Sequence, residues 1–393
     1  MKFKGLYLIF FIICSCSKLK EVENNTLDFS VLKSIEIPIN ADVQYEHSQI
    51  QLVGEDEFVG LDRNFSKLDF FSLKENKFLF STQLESEGPN RIYPVSSFCY
   101  HNMDSIFLFS LDASSFQLIN QEGEVMNSFR MVDNQYPSKL FNDITGSDSQ
   151  FFPFSITQNG NFYIPFSYNN QSKELIINTV PNSYLDGFND RKTFYSAPLI
   201  SKFDFETLEF SQFSGRWPEI YDQKNAPNNP FNTFCLNTDT EDLLINFYNS
   251  SEVFSVKEDE FFNVESNSAK GDVTLFDIEN KKGYSTEEEL DAFNNDEGYV
   301  NLIYDKYQNV YYRIFKSSTH NSEENVHKMK ANWFLIAFTP EFEVLGEVEF
   351  PASIYNFLHI LPTQDGLLIS KESAWSTENN EEKYEFDLVK INF

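Results

Sequence analysis

Arg216, Trp217 and Pro218 are adjacent in this chain, and Tyr221 follows three residues later. Lys and Arg together number 30 against 60 Asp and Glu, so an Arg beside a Trp stands out. A guanidinium fork can hold a carboxylate through two parallel hydrogen bonds, and flat aromatic rings can stack on a sugar. Arg91, at the end of Glu87-Gly88-Pro89-Asn90-Arg91, supplies a second fork. Arg91, Arg216, Trp217 and Tyr221 are therefore the candidate binding residues. The competing reading gives them scaffold work: the Arg satisfies loop carbonyls or a nearby acid, and the rings pin loops onto the fold.

Catalytic signatures are not found. The sequence holds no Gly-x-Ser-x-Gly elbow, no His-Glu-x-x-His zinc pair, no phosphate loop and no dinucleotide fingerprint. No catalytic residue, cofactor or metal is assigned. The histidines are His47, His101, His320, His327 and His359. His320 and His327 share one polar stretch, which reads as solvated loop before it reads as a metal site. Asp239-Thr240-Glu241-Asp242 offers oxygen ligands for a hard cation but lacks the calcium-loop spacing. His101 ends a strand-like run and reads as structural.

Cysteine points to an address. Lys2 and Lys4 precede an apolar run from Leu6 to Ile13, shorter than the roughly 20 residues a membrane span needs. Ile13-Cys14-Ser15-Cys16 then resembles the lipobox of bacterial lipoprotein signals, with small Ser15 before the cleavage point. Residues 1–16 read as the signal, with Cys16 as the lipidated first residue of the mature chain, and 17–31 as a polar tether. The expected location is the cell envelope, the outer membrane before the inner, with the membrane reached through the lipid alone. Cys99 and Cys235 each follow a Phe shortly before a polar turn, and read as buried free thiols at equivalent places in a repeat.

The elements that would position these residues come from that repeat. Polar turns recur at 54–56, 101–104, 158–160, 237–242, 305–309 and 364–366, each between strand-like apolar runs. Spacings of about 50 to 80 residues with strands on both sides are those of propeller blades. Aromatics make up 17% of the chain, which favours sheet. The predicted fold is all-β: a single six-bladed propeller over 32–393, with five or seven blades as the rival count. Each blade takes four antiparallel strands, A innermost to D outermost. Blade three is predicted at 152–157, 162–168, 199–205 and 208–213, and the last strand of blade four at 273–277. Blade six runs out one strand short, and the alternating segment 32–39 is predicted to join it and close the ring.

Glu87-Gly88-Pro89-Asn90-Arg91, this closure and the lipobox together resemble an uncharacterised family: lipoproteins of Bacteroidota with a domain of unknown function, related to six-bladed propellers. The resemblance implies that fold and no established activity, so it assigns no catalytic residue.

The long connections fall on one side of such a ring. The D-to-A connections 85–95, 132–150 and 215–232 and the B-to-C connections 169–198, 316–332 and 373–383 share a face, and the short turns share the other. Long loops on a rigid scaffold are where binding usually sits. A formal charge of −30 repels phosphate backbones, so nucleic acid is excluded as a partner. The reading that follows is a non-catalytic, envelope-anchored binding propeller, monomeric, for a glycan, peptide or envelope protein. The competing function is a hydrolase or lyase in or above the central channel.

Overall fold

The computed structural model describes residues 26–39, 47–62, 66–92, 94–110, 115–130, 166–181, 198–222, 232–269, 297–318, 332–351, 354–371 and 383–393, with short pieces at 151–153, 156–158, 161–163 and 195–196. Six antiparallel sheets form the six blades of a β-propeller. The chain opens with β1 (Asp28–Pro38). Blade one is β2 (Ile50–Val53), β3 (Glu57–Asp62), β4 (Lys67–Ser72) and β5 (Lys77–Gln83). Blade two is β6 (Ser97–Asn102), β7 (Ser105–Ser110), β8 (Ser115–Ile119) and β9 (Val125–Arg130). Blade three contains β10 (Phe151–Pro153), β11 (Ile156–Gln158), β12 (Asn161–Tyr163), β13 (Phe166–Asn169), β14 (Glu174–Pro181), β15 (Ile200–Asp204) and β16 (Glu209–Ser214). Blade four is β17 (Asn232–Leu236), β18 (Leu243–Phe247), β19 (Glu252–Ser255) and β20 (Glu260–Asn263). Blade five is β21 (Gly298–Asp305), β22 (Val310–Lys316), β23 (Trp333–Phe338) and β24 (Val344–Phe350). Blade six is β25 (Ile360–Thr363), β26 (Gly366–Ser370) and β27 (Lys383–Asn392), completed by β1.

The closure expected from sequence is present, and the closing strand is longer than expected. β1 pairs with β27 from Asp28 opposite Asn392 to Pro38 opposite Lys383, with a bulge between Val31 and Lys33. Beyond the bulge Ile35 and Ile37 are buried, whereas residues 30–34 are exposed, so the strand begins in a segment whose sequence shows no inward face.

Two blades depart from the sequence reading. In blade three the second strand is β14, not 162–168. Its Leu175-Ile176-Ile177 run is buried, as a strand covered on both faces must be. The inner position is divided between β10 and β13, which both pair with β14, and β11 and β12 form a hairpin between them. The Asn159-Gly160 pair is a strong two-residue turn signal and joins that inserted hairpin, not strands A and B. In blade four the outermost strand is β20; the predicted segment 273–277 lies outside the described residues.

One local rule recurs in six turns of the short-turn face. Ser72, Asn169, Asp204, Asn237, Ser255 and Asp305 each accept, through a side-chain oxygen, the backbone N–H three residues on. The residue four positions on then has a positive φ: Asn76, Lys173, Leu208, Glu241, Asp259 and Asn309, at 51° to 59°. A short polar side chain takes the orphaned amide, and the chain reverses at the cost of one left-handed residue.

Blades four and five are joined by a guanidinium. Arg313 on β22 is fully buried. Its Nε donates to Asn246 Oδ1 (2.8 Å) and its Nη1 to the carbonyls of Ser251 and Val264 (both 2.7 Å). Its Nη2 donates to the carbonyl of Ser250 (2.7 Å), and the fork lies 3.6 Å from the Tyr299 ring centroid. Burial lowers its pKa to about 10, so it stays charged at neutral pH. The carbonyl acceptors belong to the turn between β18 and β19 and to the residue after β20; that of Ser251 also accepts the Val264 N–H (2.9 Å). Arg313→Met should cost more than about 3 kcal/mol, since several buried carbonyls lose a charged donor at once. Arg313→Lys should recover only part of that, because an ammonium cannot reproduce the fork. The urea midpoint of each variant checks the order.

Candidate functional site

Three of the four predicted binding residues fall on one connection, between blades three and four. Trp217 and Tyr221 turn inward. Trp217 is 6% exposed and Tyr221 0%. They pack with Tyr195 and Phe247, with centroids 5.4 Å apart for Tyr195–Trp217 and 4.9 Å for Trp217–Tyr221. The Tyr221 hydroxyl accepts the Asn249 N–H (3.1 Å), and burial holds the phenol well above its ordinary pKa. The stacking faces expected for a sugar are thus engaged by the core. Trp and Tyr beside Pro signal an ordered loop, and whether the rings turn in or out is decided by the neighbouring blade.

Arg216 remains at the surface. Its Nη2 donates to the Asp259 carbonyl (2.9 Å), and its guanidinium carbon lies 5.4 Å and 5.2 Å from the centroids of Phe254 and Phe261. It therefore braces the turn between β19 and β20 while staying exposed. Arg91 sits two blades away, on the connection from β5 to β6. Its backbone is fixed by Arg91 N–H to Gly88 O (3.3 Å) and by buried Gln117, whose Nε2 donates to Arg91 O (3.0 Å). The two forks are exposed on separate, anchored loops.

The acidic turn 239–242 is occupied by its neighbours. Tyr304 donates to Asp239 Oδ2 (2.8 Å), Asn169 Nδ2 to Glu241 Oε1 (3.0 Å) and Ser255 Oγ to Asp242 (3.1 Å). Burial, and next Asp239, push the Tyr304 phenol up to about 12. Among the described residues no group of three or more His, Cys, Asp or Glu is arranged to hold a metal ion. His320, His327 and the lipobox lie outside the described residues. Cys99 and Cys235 are free, on the inner strands of blades two and four, and burial pushes both thiols up to about 12. His101 is half-buried beside Tyr168.

A buried polar cluster at the seam of blades one and six was not foreseen. His47 Nε2 meets Asp69 Oδ2 at 2.9 Å, and its Nδ1 meets the Tyr384 hydroxyl. Ser81 donates to Asp69 Oδ1, and Lys67 Nζ lies 3.4 Å from that oxygen and 3.9 Å from Asp62. His47, Asp62, Lys67, Asp69 and Tyr384 are all buried. An imidazole between a carboxylate and a phenol can hold a proton at either end. Here the relay lies under packing: the His47 ring occupies the space where a side chain on Gly60 would begin, 2.5 Å from its Cβ position. The partners are 22 and 337 residues away in sequence, so no local motif could reveal it.

Two predictions follow from this seam. Gly60→Ala should destabilise the protein and displace His47, visible as a lower urea midpoint and loss of the His47 imidazole's slow solvent exchange. The second concerns His359, whose imidazole burial and then nearby His47 push down to about 4, against 6.5. The unfolded chain takes up that proton near 6.5 and the folded chain does not, so stability is full above 6.5 and falls between 6.5 and 4. His359→Gln should flatten the fall of the urea midpoint over that window, so that the wild-type-minus-variant difference drops as pH falls from 6.5 to 4; a variant as acid-sensitive as the wild type would assign that sensitivity elsewhere.

The comparisons agree with this architecture. The family model "Domain of unknown function (DUF4221)" matches residues 20–349. A crystal structure of a member of that family from Bacteroides vulgatus superposes with a TM-score of 0.71 at 17% identity, covering 94% of this chain and 99% of that one. A protein from Bacteroides fragilis, whose name carries a provisional assignment to export, superposes with a TM-score of 0.54 at 11% identity, covering 94% and 97%. No curated protein matches the chain.

Proposed function

We propose that this chain, which belongs to the DUF4221 family, is a binding propeller held at the cell envelope by lipid on Cys16, and that it takes a glycan, peptide or envelope protein on its loop-rich face. The observation that carries this reading is how that face is anchored. Among the described residues three of its connections are fixed by deep contacts: Trp217 and Tyr221 under one loop, Gln117 holding the Arg91 carbonyl, and Trp333 Nε1 donating to the Tyr355 carbonyl (3.1 Å) under another; the greater part of the predicted long connections at 132–150, 169–198, 316–332 and 373–383 lies outside the described residues. Connections fixed in this way keep their outward groups in place before a ligand arrives, which lowers the ordering cost of binding. The opposite face is spent on capped reversals. The name of the Bacteroides fragilis relative, which concerns export of that protein, supports an envelope location.

Arg216 and Arg91 are the exposed forks on these anchored loops, suited to the carboxylate of an acidic sugar or peptide. A thermal-shift screen of the mature protein against cell-wall fragments, acidic oligosaccharides and peptides tests the reading. A ligand well above its Kd must raise Tm. Arg216→Ala or Arg91→Ala should abolish the shift for a carboxylate ligand while changing the Tm of the free protein by only a few degrees. A shift retained by both variants would move the site away from these forks. No shift with any member would favour a protein partner, to be sought by crosslinking in the envelope.

A further inference from the structure

The edge of blade six differs chemically from the rest of this acidic protein. Residues 29–34, Phe-Ser-Val-Leu-Lys-Ser, and 388–393, Leu-Val-Lys-Ile-Asn-Phe, contain two Lys and no acid, in a chain with 60 Asp and Glu. Pairing brings them together: Ser30 lies opposite Lys390, Val31 opposite Val389 and Lys33 opposite Leu388. Five large apolar side chains are strongly exposed among the described residues, and three are here: Val31 at 46%, Leu32 at 51% and Phe393 at 57%. Lys33 and Lys390 are exposed beside them.

This edge is also where the chain enters the fold, and the direction of entry is defined. Val389 lies against the start of β26, just past the short turn at Thr363–Gly366, so the Asn392 end of β27 belongs to the short-turn face. Asp28 is opposite Asn392, and Pro38, opposite Lys383, is at the loop-rich end. β1 therefore runs from the short-turn face toward the loop-rich face. Just before it, Thr26 forms a parallel bridge with Glu347, and the Leu27 N–H donates to the Glu347 carbonyl (2.8 Å). About ten residues separate Cys16 from Thr26, a reach of at most about 35 Å.

We infer that the edge exposing Val31, Leu32, Lys33, Lys390 and Phe393 lies against the lipid surface that holds Cys16, turning the loop-rich face away from the membrane. The inference rests on the proposed lipidation, and adds a second contact to the anchor. Exposed apolar side chains flanked by two Lys, with Asp28 as the one exposed acid at the end of the strand, form a surface that an interface accepts, with the Lys stems reaching out to the headgroups. The −30 charge elsewhere keeps the remaining surface off the same lipids. The short tether supplies a high local concentration, so a weak patch suffices.

The test uses the full lipidated protein in vesicles of phosphatidylethanolamine and phosphatidylglycerol. A fluorophore is placed at Ser30→Cys on this edge or at Arg91→Cys on the loop-rich face, in a background carrying Cys99→Ala and Cys235→Ala because Cys235 is only half-buried. Lipids carrying a quencher near the headgroup should extinguish emission at position 30 and leave it at 91. Adding Val31→Glu and Leu32→Glu should restore emission at 30 without releasing the protein. Equal quenching at 30 and 91, or quenching at 30 that survives the double variant, overturns the docking but not the anchor. Protein that fails to float with the vesicles overturns the anchor and the docking together.

Discussion

Pairing of β1 with β27 is the constraint on which the ring depends. A propeller blade buries its two faces only against neighbours, so an open ring would expose a face of blade one and a face of blade six. The last blade has three strands of its own, and β27 would otherwise present an unpaired edge to solvent. Bringing in a strand from the other end of the chain solves both problems, because the two ends must then meet. The seam carries its own core, in which Ile35 and Ile37 of the closing strand join Phe58 and Phe71 of blade one and Tyr384 and Phe386 of blade six. His47, on the segment leading from the closing strand to blade one, adds the hydrogen-bonded tie to Tyr384 and Asp69. Closure is thus apolar over most of its area and polar at one buried point.

The other junctions use polar side chains where backbone is left unpaired. The inner strand of every blade is an edge, with N–H and C=O groups facing the axis or the neighbouring blade. Gln49 and Gln51 address this between blades one and two. Each carboxamide donates to and accepts from one residue of β6: Gln49 with Phe98 (2.8 and 3.0 Å) and Gln51 with Tyr100 (both 2.8 Å). The two side chains act as a short additional strand. Arg313 does the equivalent for a cluster of carbonyls between blades four and five, with a charged donor because more acceptors converge there. Buried polar groups of this kind fix relative position because a displaced blade would leave them unsatisfied.

Much of this fold was legible because strand period, polar turns and the orphan strand at residues 32–39 are all local signals. Blades one, two and five each have the four consecutive antiparallel strands expected of a blade. The failure at blade three has a physical cause. Asn159-Gly160 is the stronger turn signal but belongs to an inserted hairpin, while the true reversal at Asn169–Lys173 uses an Asn cap and a left-handed Lys, a weaker pattern to the eye. β20 was missed because only Phe261 and Phe262 stand between polar residues. The candidate site was legible at the level of loops and not of side chains. Arg216, Trp217 and Tyr221 do share one connection, yet the direction of each ring depends on Tyr195 and Phe247, which only the assembled blades bring near. His47 carried no signal at all, since its partners come from distant strands.

The two faces differ in what limits them. On the short-turn face six reversals are bound to one backbone solution: an oxygen-bearing side chain at one position and a residue able to take positive φ four later. That leaves little freedom in sequence or length, and two of the carboxylates there, Asp239 and Glu241, are already bonded to adjacent blades. On the loop-rich face the constraint is different. Among the described residues, three of its connections are held by an inward anchor: an indole and a phenol at Trp217 and Tyr221, the Gln117 carboxamide at Arg91, and the Trp333 indole at Tyr355. Arg216 marks the boundary, since its stem and fork brace blade four while its exposed side faces solvent. Folding physics thus identifies the anchors, and on the proposed binding reading the outward residues between them would carry the ligand specificity.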